Sequence, residues 1–433
     1  MLSIVIFGGT GDLARKKLFR SLYNLYAKRM LPQNTKIIGF ARRDLNTDSY
    51  RQFVSDELPD DLDLKSEFLE CFYYFQGDLH NEQSYLDLRA LLVGMDEQYK
   101  ICASKLFYMS VRPELYADVV ELLKKTNVLN TCNAEEGGTW SRLLIEKPFG
   151  TNFEHAKFLD ERLGEVVSED RIFRIDHYLA KEALENILVF RFKNVMFNGV
   201  WNREFISKIS IRLFEKRGVE GRGEFYDEVG ALRDVGQNHA LQMLALVLMD
   251  RPLQFDGAHI RTEREQVLKT LQPYEFVPEY FERAQYSTYA GHANVPSSET
   301  ETYFRITLQS DDERWRGVPF EIESGKAMPE DKAEIRIDFA DGNTMRFEIQ
   351  PEARITFSFN VKETGYDYST TAKNFEFSYK EHEMFILDAY EKILYQAVAG
   401  DVTSFVSTTE VLEQWRIIDE ILTQWKTLPL GSY

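Results

Sequence analysis

The sequence predicts α/β plus α+β architecture. An N-terminal part is built on a doubly wound parallel sheet, and a larger C-terminal part has a mostly antiparallel sheet and helices. Three observations predict it. A glycine-rich turn follows the first apolar strand and opens a helix. Strand-like and helix-like runs then alternate to about residue 175. After about residue 200 the strand-like runs alternate apolar with polar residues, the pattern of a sheet with one open or partner-covered face. The 433 residues suit two or three domains, and the change of pattern puts a boundary within 175–200.

Ser3–Phe7 reads as a short buried strand. Gly8-Gly9-Thr10-Gly11-Asp12-Leu13-Ala14 follows, then a helical run through Leu18, Leu22 and Leu25. Gly9, Gly11 and Ala14 fit G-x-G-x-x-A between a strand and a helix. Glycines there permit a tight turn and let backbone amides approach a pyrophosphate, which the helix dipole also favours. The alternative is a plain strand-to-helix turn. A second strand, Lys36–Phe40, ends in Ala41-Arg42-Arg43. An acid at this point would hold ribose hydroxyls, whereas arginine suits a 2′-phosphate, so NADP is favoured over NAD. Asp44 directly after keeps NAD possible. Phe72–Phe75, Leu106–Ser110, Leu143–Ile145 and Ile172–Ile175 read as further strands, with helical runs such as Glu82–Leu92 and Leu115–Lys125 between them. Ile145-Glu146-Lys147-Pro148-Phe149-Gly150 ends one strand. Ligands of such sheets sit at the strands' carboxyl ends, so Lys147 is placed to reach cofactor or substrate.

Arg174-Ile175-Asp176-His177-Tyr178-Leu179-Ala180-Lys181-Glu182 packs an acid, an imidazole, a phenol and an amine into one short stretch before a strong helix former. A helix beginning near Tyr178 puts His177 at its entrance and Lys181 one turn on, where both can face a phosphate. A solvated surface helix is the alternative.

In the second half, Ser207–Phe214, Tyr303–Leu308, Ala333–Phe339, Thr344–Ile349 and Arg354–Val361 read as alternating strands, with a turn at Asp341-Gly342-Asn343. Val229–Met249 reads as one helix, polar in its first half and apolar nearly all round in its second. Asp234 and Asn238 share a face there, and His239 is a candidate general base. Gly236 inside that helix suits close approach of a backbone or ligand. Glu215 ends a strand before a glycine-rich charged loop, and Ser324-Gly325-Lys326 and Lys332 offer cations. The tail Glu381–Trp425 reads as largely helical.

The balance of 52 Lys+Arg against 70 Asp+Glu gives a formal charge of −18. That argues against nucleic acid or an anionic membrane as a partner. It also requires a local basic cluster to hold any anionic substrate. Cys71, Cys102 and Cys132 show no metal-ligand spacing and no even-numbered framework, so a reducing, cytoplasmic setting is expected. No metal site is expected. No apolar stretch reaches membrane-spanning length, and no secretory leader is expected.

Together the blocks Gly8–Lys17, Glu146–Gly150, Arg174–Lys181, Gly218–Asp227, Gly230–His239, Arg283–Tyr286, Arg314–Phe320 and Ser324–Lys326 resemble the glucose-6-phosphate dehydrogenase family, in family order across nearly the whole chain. The resemblance implies a Rossmann-like dinucleotide-binding domain, here 1–178, and a substrate-binding and dimerisation domain, 179–433. It implies oxidation of β-D-glucose 6-phosphate at C1 to 6-phosphoglucono-δ-lactone with hydride transfer to NADP, the first step of the oxidative pentose phosphate pathway. His239 would be the base, with Asp176 orienting it. His177, Tyr178 and Lys181 would bind the 6-phosphate. Glu215, Asp234, Lys326 and Lys332 would hold the sugar. Gly8, Gly9, Thr10, Gly11, Asp12 and Leu13 would meet the cofactor, Arg42 its 2′-phosphate, and Lys17 and Lys147 would sit between cofactor and substrate. A cytoplasmic homodimer or dimer of dimers is implied.

The chain departs from the family at Ala180, usually glycine, and at Gly236, usually a larger apolar residue. It is also shorter around 253–302 and 364–380, so a second, structural NADP site is not expected. Two alternatives stand beside the main reading. One is a dehydrogenase for a different hexose 6-phosphate, for which Ala180 speaks; the other is a non-catalytic regulatory relative.

Overall fold

A computed structural model describes residues 1–131, 139–221, 223–293, 295, 298–379, 387–425 and 427–433. The chain divides into two compact units. Met1–Gly150, Glu154–His177 and Leu387–Thr408 form the first; Thr151–Phe153, Tyr178–Ile386 and Thr409–Tyr433 form the second.

The first unit holds β1 (Leu2–Phe7), β2 (Thr35–Ala41), β3 (Phe72–Gln76), β4 (Ser104–Met109), β5 (Ser141–Ile145) and β6 (Ile172–Ile175). These six are parallel in the order β6-β5-β4-β1-β2-β3. Every residue of β1 is buried, because helices cover both faces of such a sheet and leave no polar side to alternate with. Helix starts are set locally. Asn46 and Ser49 form a reciprocal capping box for the helix Thr47–Asp56, and Asn81 caps Glu82–Tyr99. The connections reverse direction between β1 and β4, which opens a crevice at their carboxyl ends.

A late stretch of the chain completes this unit. The helix Ala389–Ala399 ends at Gly400, where φ is +82°. Arg142 donates from Nη1 to the carbonyls of Ala397 and Val398, at 2.6 and 2.8 Å. The guanidinium thus satisfies the helix's terminal acceptors and complements its dipole. Phe405–Val406 then pairs antiparallel with β6, and Phe405 meets Phe173 edge-on at 4.8 Å. Buried Arg174 is fixed here by Asp160, Glu169 and Thr408. The tail is largely helical, as the sequence suggests: two helices, Ala389–Ala399 and Thr408–Trp425, separated by a short strand. Residues 381–386 of that reading lie outside the described residues.

The second unit holds β7 (Ile206–Phe214), β8 (Leu271–Pro273), β9 (Phe281–Gln285), β10 (Tyr303–Ser310), β11 (Phe320–Gly325), β12 (Lys332–Phe339), β13 (Thr344–Gln350), β14 (Arg354–Lys362) and β15 (Thr370–Ser378). Their order is β15-β14-β13-β12-β7-β11-β10-β9, continued by Leu430–Ser432, with β8 also against β10. Pairing is antiparallel except β7 with β11 and β9 with Leu430–Ser432. The face carrying Ile335, Ile337, Met345 and Phe347 is buried, Phe347 lying edge-on to Phe190. The other face carries ion pairs across strands: Lys208–Glu321, Arg212–Glu323, Arg346–Glu334 and Arg354–Glu348. Alternation of apolar and charged residues along each strand produces these two faces.

The expected single helix Val229–Met249 is broken. Gly230 has φ +74° and ψ 167°, and a π-helix, Leu232–Ala240, precedes the α-helix Leu241–Leu248. Gly230 has no room for a side chain, since a Cβ there would lie 2.5 Å from Glu301 Oε1. Gly236 lets in side chains and no backbone: a Cβ would meet Leu232 and Phe304 at 2.8 and 3.1 Å.

Elsewhere in this unit Arg264 and Glu410, both fully buried, pair at 2.8 Å. Glu410→Ala removes the paired charge of a buried guanidinium and is expected to cost about 3–5 kcal/mol. Urea denaturation of the variant checks it, and a loss under about 1 kcal/mol would contradict it.

Cys71 is a free thiol, whereas Cys102 is disulfide-bonded. Spacing along a chain does not report which sulfurs meet in space. Cys132 lies outside the described residues.

Candidate active site

In the first unit a cavity of about 780 Å³ opens where β1, β2, β3 and β4 end. Gly8, Thr10 and Gly11 line it from the turn after β1, and Arg42 and Arg43 from the end of β2. Asp78 and His80 come from beyond β3, and Ser110 and Arg112 from beyond β4. Gly8 and Gly9 donate to the Phe40 carbonyl at 2.9 and 3.1 Å, and Gly11 donates to Gly8 O at 2.8 Å. The turn is thereby folded tightly against β2. A Cβ on Gly8 would lie 2.2 Å from Ser110 O, and one on Gly9 2.7 Å from Gly39 Cα. Tyr50 closes the turn from below, donating from its buried hydroxyl to Gly9 O at 2.9 Å.

Not every glycine-turn candidate faces this cavity. Gly9, Asp12, Leu13 and Lys17 are not among its lining residues. Exposed Asp12 pairs with Lys16 at 2.7 Å, and that hydrogen bond lowers its carboxyl pKa. Lys17 lies 5.9 Å over the Tyr390 ring. Arg43, read from the sequence beside Arg42, also lines the cavity, and Arg112 is a cavity cation that the sequence reading left out. Arg112 follows a strand end just as Arg42 does, so the strand-end rule applied evenly would have found it.

At the end of β5, Glu146 is partly buried and accepts from the Tyr108 hydroxyl at 2.6 Å. Tyr390 also hydrogen-bonds it. Tyr116 donates to its carbonyl at 2.9 Å. Lys147 follows, joined to Pro148 by a cis peptide bond. Asp176, at the end of β6, is 2% exposed. His177 stacks on Tyr390 at 6.2 Å.

In the second unit, Tyr178 stacks on the buried His239 ring at 4.2 Å, and Lys181 Nζ lies 3.6 Å over the other partner of that stack, the Tyr178 ring. The helix after this stretch is Glu182–Lys193, with Lys181 at its N-cap position. Tyr178 O accepts from Lys181 N in a turn, so the helix starts later than the sequence suggests and His177 is not at its entrance. Ala180 is fully buried.

His239 owes its place to the π-helix. Such a stretch releases carbonyls from their usual α-helical partners. Asn238 donates from Nδ2 to the carbonyl of Asp234 at 3.0 Å, and its Oδ1 accepts from His239 N at 2.7 Å. Asn238 is thus a backbone clamp, not a partner of the Asp234 side chain. Asp234 instead points to Lys326, at 3.4 Å, and Lys326 donates to Glu215 at 2.6 Å. A nearly buried ammonium thus joins two of the sugar-binding candidates. Lys332 pairs with Glu330 at 2.5 Å and is held outside that cluster's ion pairs. The Tyr226 ring lies 5.7 Å from Lys326 Nζ. Burial raises its phenol pKa well above the usual value, with Asp234 and Glu301 adding to the effect.

Residues 5–186 match the family model described as glucose-6-phosphate dehydrogenase, NAD binding domain, and 188–433 match that of the C-terminal domain. The chain belongs to the glucose-6-phosphate dehydrogenase family. A Bacillus subtilis glucose-6-phosphate 1-dehydrogenase is 36% identical over 453 residues, covering 98% of this chain and 91% of that protein. A cytoplasmic glucose-6-phosphate 1-dehydrogenase of Arabidopsis thaliana is 34% identical over 446 residues, covering 97% and 85%. A solved glucose-6-phosphate dehydrogenase in complex with glucose 6-phosphate superposes with a TM-score of 0.92 at 33% identity, covering 100% of this chain and 94% of that one. The family's two domain models meet between residues 186 and 188, just after the Asp-His-Tyr stretch.

Proposed function

We propose that the chain oxidises β-D-glucose 6-phosphate at C1 to 6-phosphoglucono-δ-lactone, with NADP as hydride acceptor and residues 1–178 and 179–433 as the parts that bind cofactor and sugar. The observation that carries this reading is the buried imidazole of His239, held on the Tyr178 ring beside the Lys181 ammonium within a chain of this family. In the proposed step His239 takes the proton of the C1 hydroxyl while the C1 hydrogen leaves with its electron pair. Asp176 is assigned as the acid partner of that base. A base near neutral pKa and a fixed approach are what such a step requires.

His177, Tyr178 and Lys181 are assigned to the 6-phosphate, and Glu215, Asp234 and Lys326 to the hydroxyls. Lys332 is assigned to the sugar only from the family resemblance, since Glu330 holds it in the free chain. Binding energy collected at the phosphate supports the chemistry at C1.

The residues at the first cavity fit a dinucleotide. The Gly8 cradle leaves room for nothing but hydrogen beside Ser110, and Arg42 and Arg43 supply a basic rim suited to a 2′-phosphate. NADP, when bound, supplies the hydride-accepting ring. Gly8, Thr10 and Gly11 would hold its phosphates, with Gly9, Asp12 and Leu13 completing the turn. Lys17 and Lys147 are assigned to the space between cofactor and sugar. NAD is the alternative cofactor. Ala180 supports a different hexose 6-phosphate weakly: its methyl is buried, so it faces no open pocket.

Measuring NADPH formation with glucose, galactose, mannose and glucosamine 6-phosphates, and repeating it with NAD, tests the assignment. Turnover with glucose 6-phosphate and NADP well above the others is expected. Turnover with only another sugar would overturn the substrate, and no turnover would overturn the enzyme reading.

We assign a homodimer, or a dimer of dimers, in the cytoplasm. Among the described residues no helix is long and apolar enough to cross a membrane. Phe375 and Phe377 on β15 are 64% and 47% exposed on the apolar face of the sheet, which supports cover by a second copy. Sedimentation should show a dimer, with monomer for Phe375→Asp combined with Phe377→Asp. An unchanged dimer in that variant would move the interface elsewhere.

A further inference from the structure

The chemistry proposed above leaves Glu146 unused. Glu146 is partly buried at the end of β5, and no ligand role falls to it. Its neighbours are specific. Tyr108, from β4, donates to Oε1 at 2.6 Å, and Tyr390, from the late helix Ala389–Ala399, hydrogen-bonds the same carboxylate. Lys147 and Asp176 are the charged groups facing it, and Tyr116 binds its main chain. Tyr390 in turn carries two of the candidates on its ring. His177 stacks on it with planes 15° apart, and Lys17 Nζ lies 5.9 Å from its centroid.

We propose that Glu146 is a positioning residue, which by anchoring the Tyr390 hydroxyl sets the ring against which His177 and Lys17 take their places. The inference rests on the sugar-phosphate reading for what His177 and Lys17 bind. The physical case is independent of it. A phenol ring hinged only at its Cβ can tilt, and a hydrogen bond at the far end to a partly buried carboxylate removes that freedom. A carboxylate can accept from both phenols at once; an amide in its place offers one acceptor oxygen, so it cannot do so equally well. Burial, the largest influence, raises the Glu146 pKa to about 7, while the bonds from Tyr108 and Tyr390 and the charge of Lys147 oppose the rise. The anchor is therefore strongest above that pH and weakens as the carboxyl takes up a proton below it.

The test uses the full chain with Glu146→Gln, Tyr390→Phe and the double variant. Steady-state kinetics run from pH 6 to 9 with glucose 6-phosphate and NADP, and NADP affinity is read separately by protein fluorescence. Both single variants keep the side-chain volume, and thermal melting confirms that they fold. Each is expected to raise KM for the sugar phosphate about tenfold with kcat changed less than about threefold, as loss of a binding arrangement shared by ground and transition states does. The double variant should be no worse than either single one, because the two residues act as one unit. Wild-type KM should fall as pH rises through about 7, and that dependence should vanish in Glu146→Gln. Unchanged KM in Glu146→Gln, or additive losses in the double variant, would overturn the proposal. A wild type that does not turn over glucose 6-phosphate would overturn the functional reading instead. The fluorescence titration would then still report whether the variants disturb the Lys17 side of the cofactor site.

Discussion

Replacing His239 by asparagine is expected to lower kcat for glucose 6-phosphate oxidation by roughly 10²- to 10⁴-fold, the contribution of a positioned general base. Asparagine is polar and close in size, but it cannot accept a proton at neutral pH. The site around it should survive, because His239 is placed by its own backbone. The main-chain N–H is held by Asn238 Oδ1 at 2.7 Å, and Asn238 is itself tied to Asp234 O. KM for the sugar phosphate should therefore change little, and NADP affinity should stay at the wild-type value. The acidic limb of the kcat profile should be lost with the base. A variant that retains kcat within about threefold of wild type would remove His239 from the chemistry.

Gly8→Val is expected to weaken NADP binding by on the order of 100-fold or more, since it breaks the backbone cradle at a helix start. Two effects add. Gly8 has φ +82°, a region that costs a β-branched residue roughly 1–3 kcal/mol. Its new Cβ would also fall 2.2 Å from the Ser110 carbonyl, so the turn and the end of β4 must part. Both line the same cavity. A fluorescence titration with NADP measures the loss, and circular dichroism shows whether the unit still folds. Gly94→Ala is the matched control: that glycine is inside a helix with nothing within 4 Å of its would-be Cβ, so NADP should bind it as it binds wild type. Wild-type affinity in Gly8→Val would move the cofactor away from this turn.

What the sequence makes legible here depends on how local the cause is. The glycine turn, the six parallel strands and five of the later strands follow from periodicity over a few residues, each within a residue or two, whereas β8, β9, β11 and β15 are not called from the sequence. His239 and Lys326, singled out from the sequence as candidates, are nearly buried polar groups held by partners. The π-helix is not legible, because Val229–Met249 has the apolar spacing of an ordinary helix and only the fold around Gly230 and Asn238 forces the wider turn. The late start of the helix at Glu182 is likewise a turn competing with a helix over the same residues. Tyr390 leaves no mark at all. It lies 244 residues from Glu146 by subtraction of their numbers, and no local pattern connects them. Lys332 is paired with Glu330, a contact that its place near Lys326 in the sequence does not reveal.

The return of Leu387–Thr408 to the first unit has a consequence for how the protein is made. Translation proceeds from the amino end, and domains generally fold in that order as they emerge. This one cannot finish in that order. When residue 178 leaves the ribosome, the flank of β6 that Phe405–Val406 will occupy is still bare, Arg142 has no helix end to cap, and Glu146 has lost one of its two phenols. More than two hundred further residues must be synthesised before the missing piece exists. Throughout that interval the nascent chain presents an unpaired strand edge to its surroundings, and synthesis halted anywhere in the second unit's sheet leaves both units unfinished.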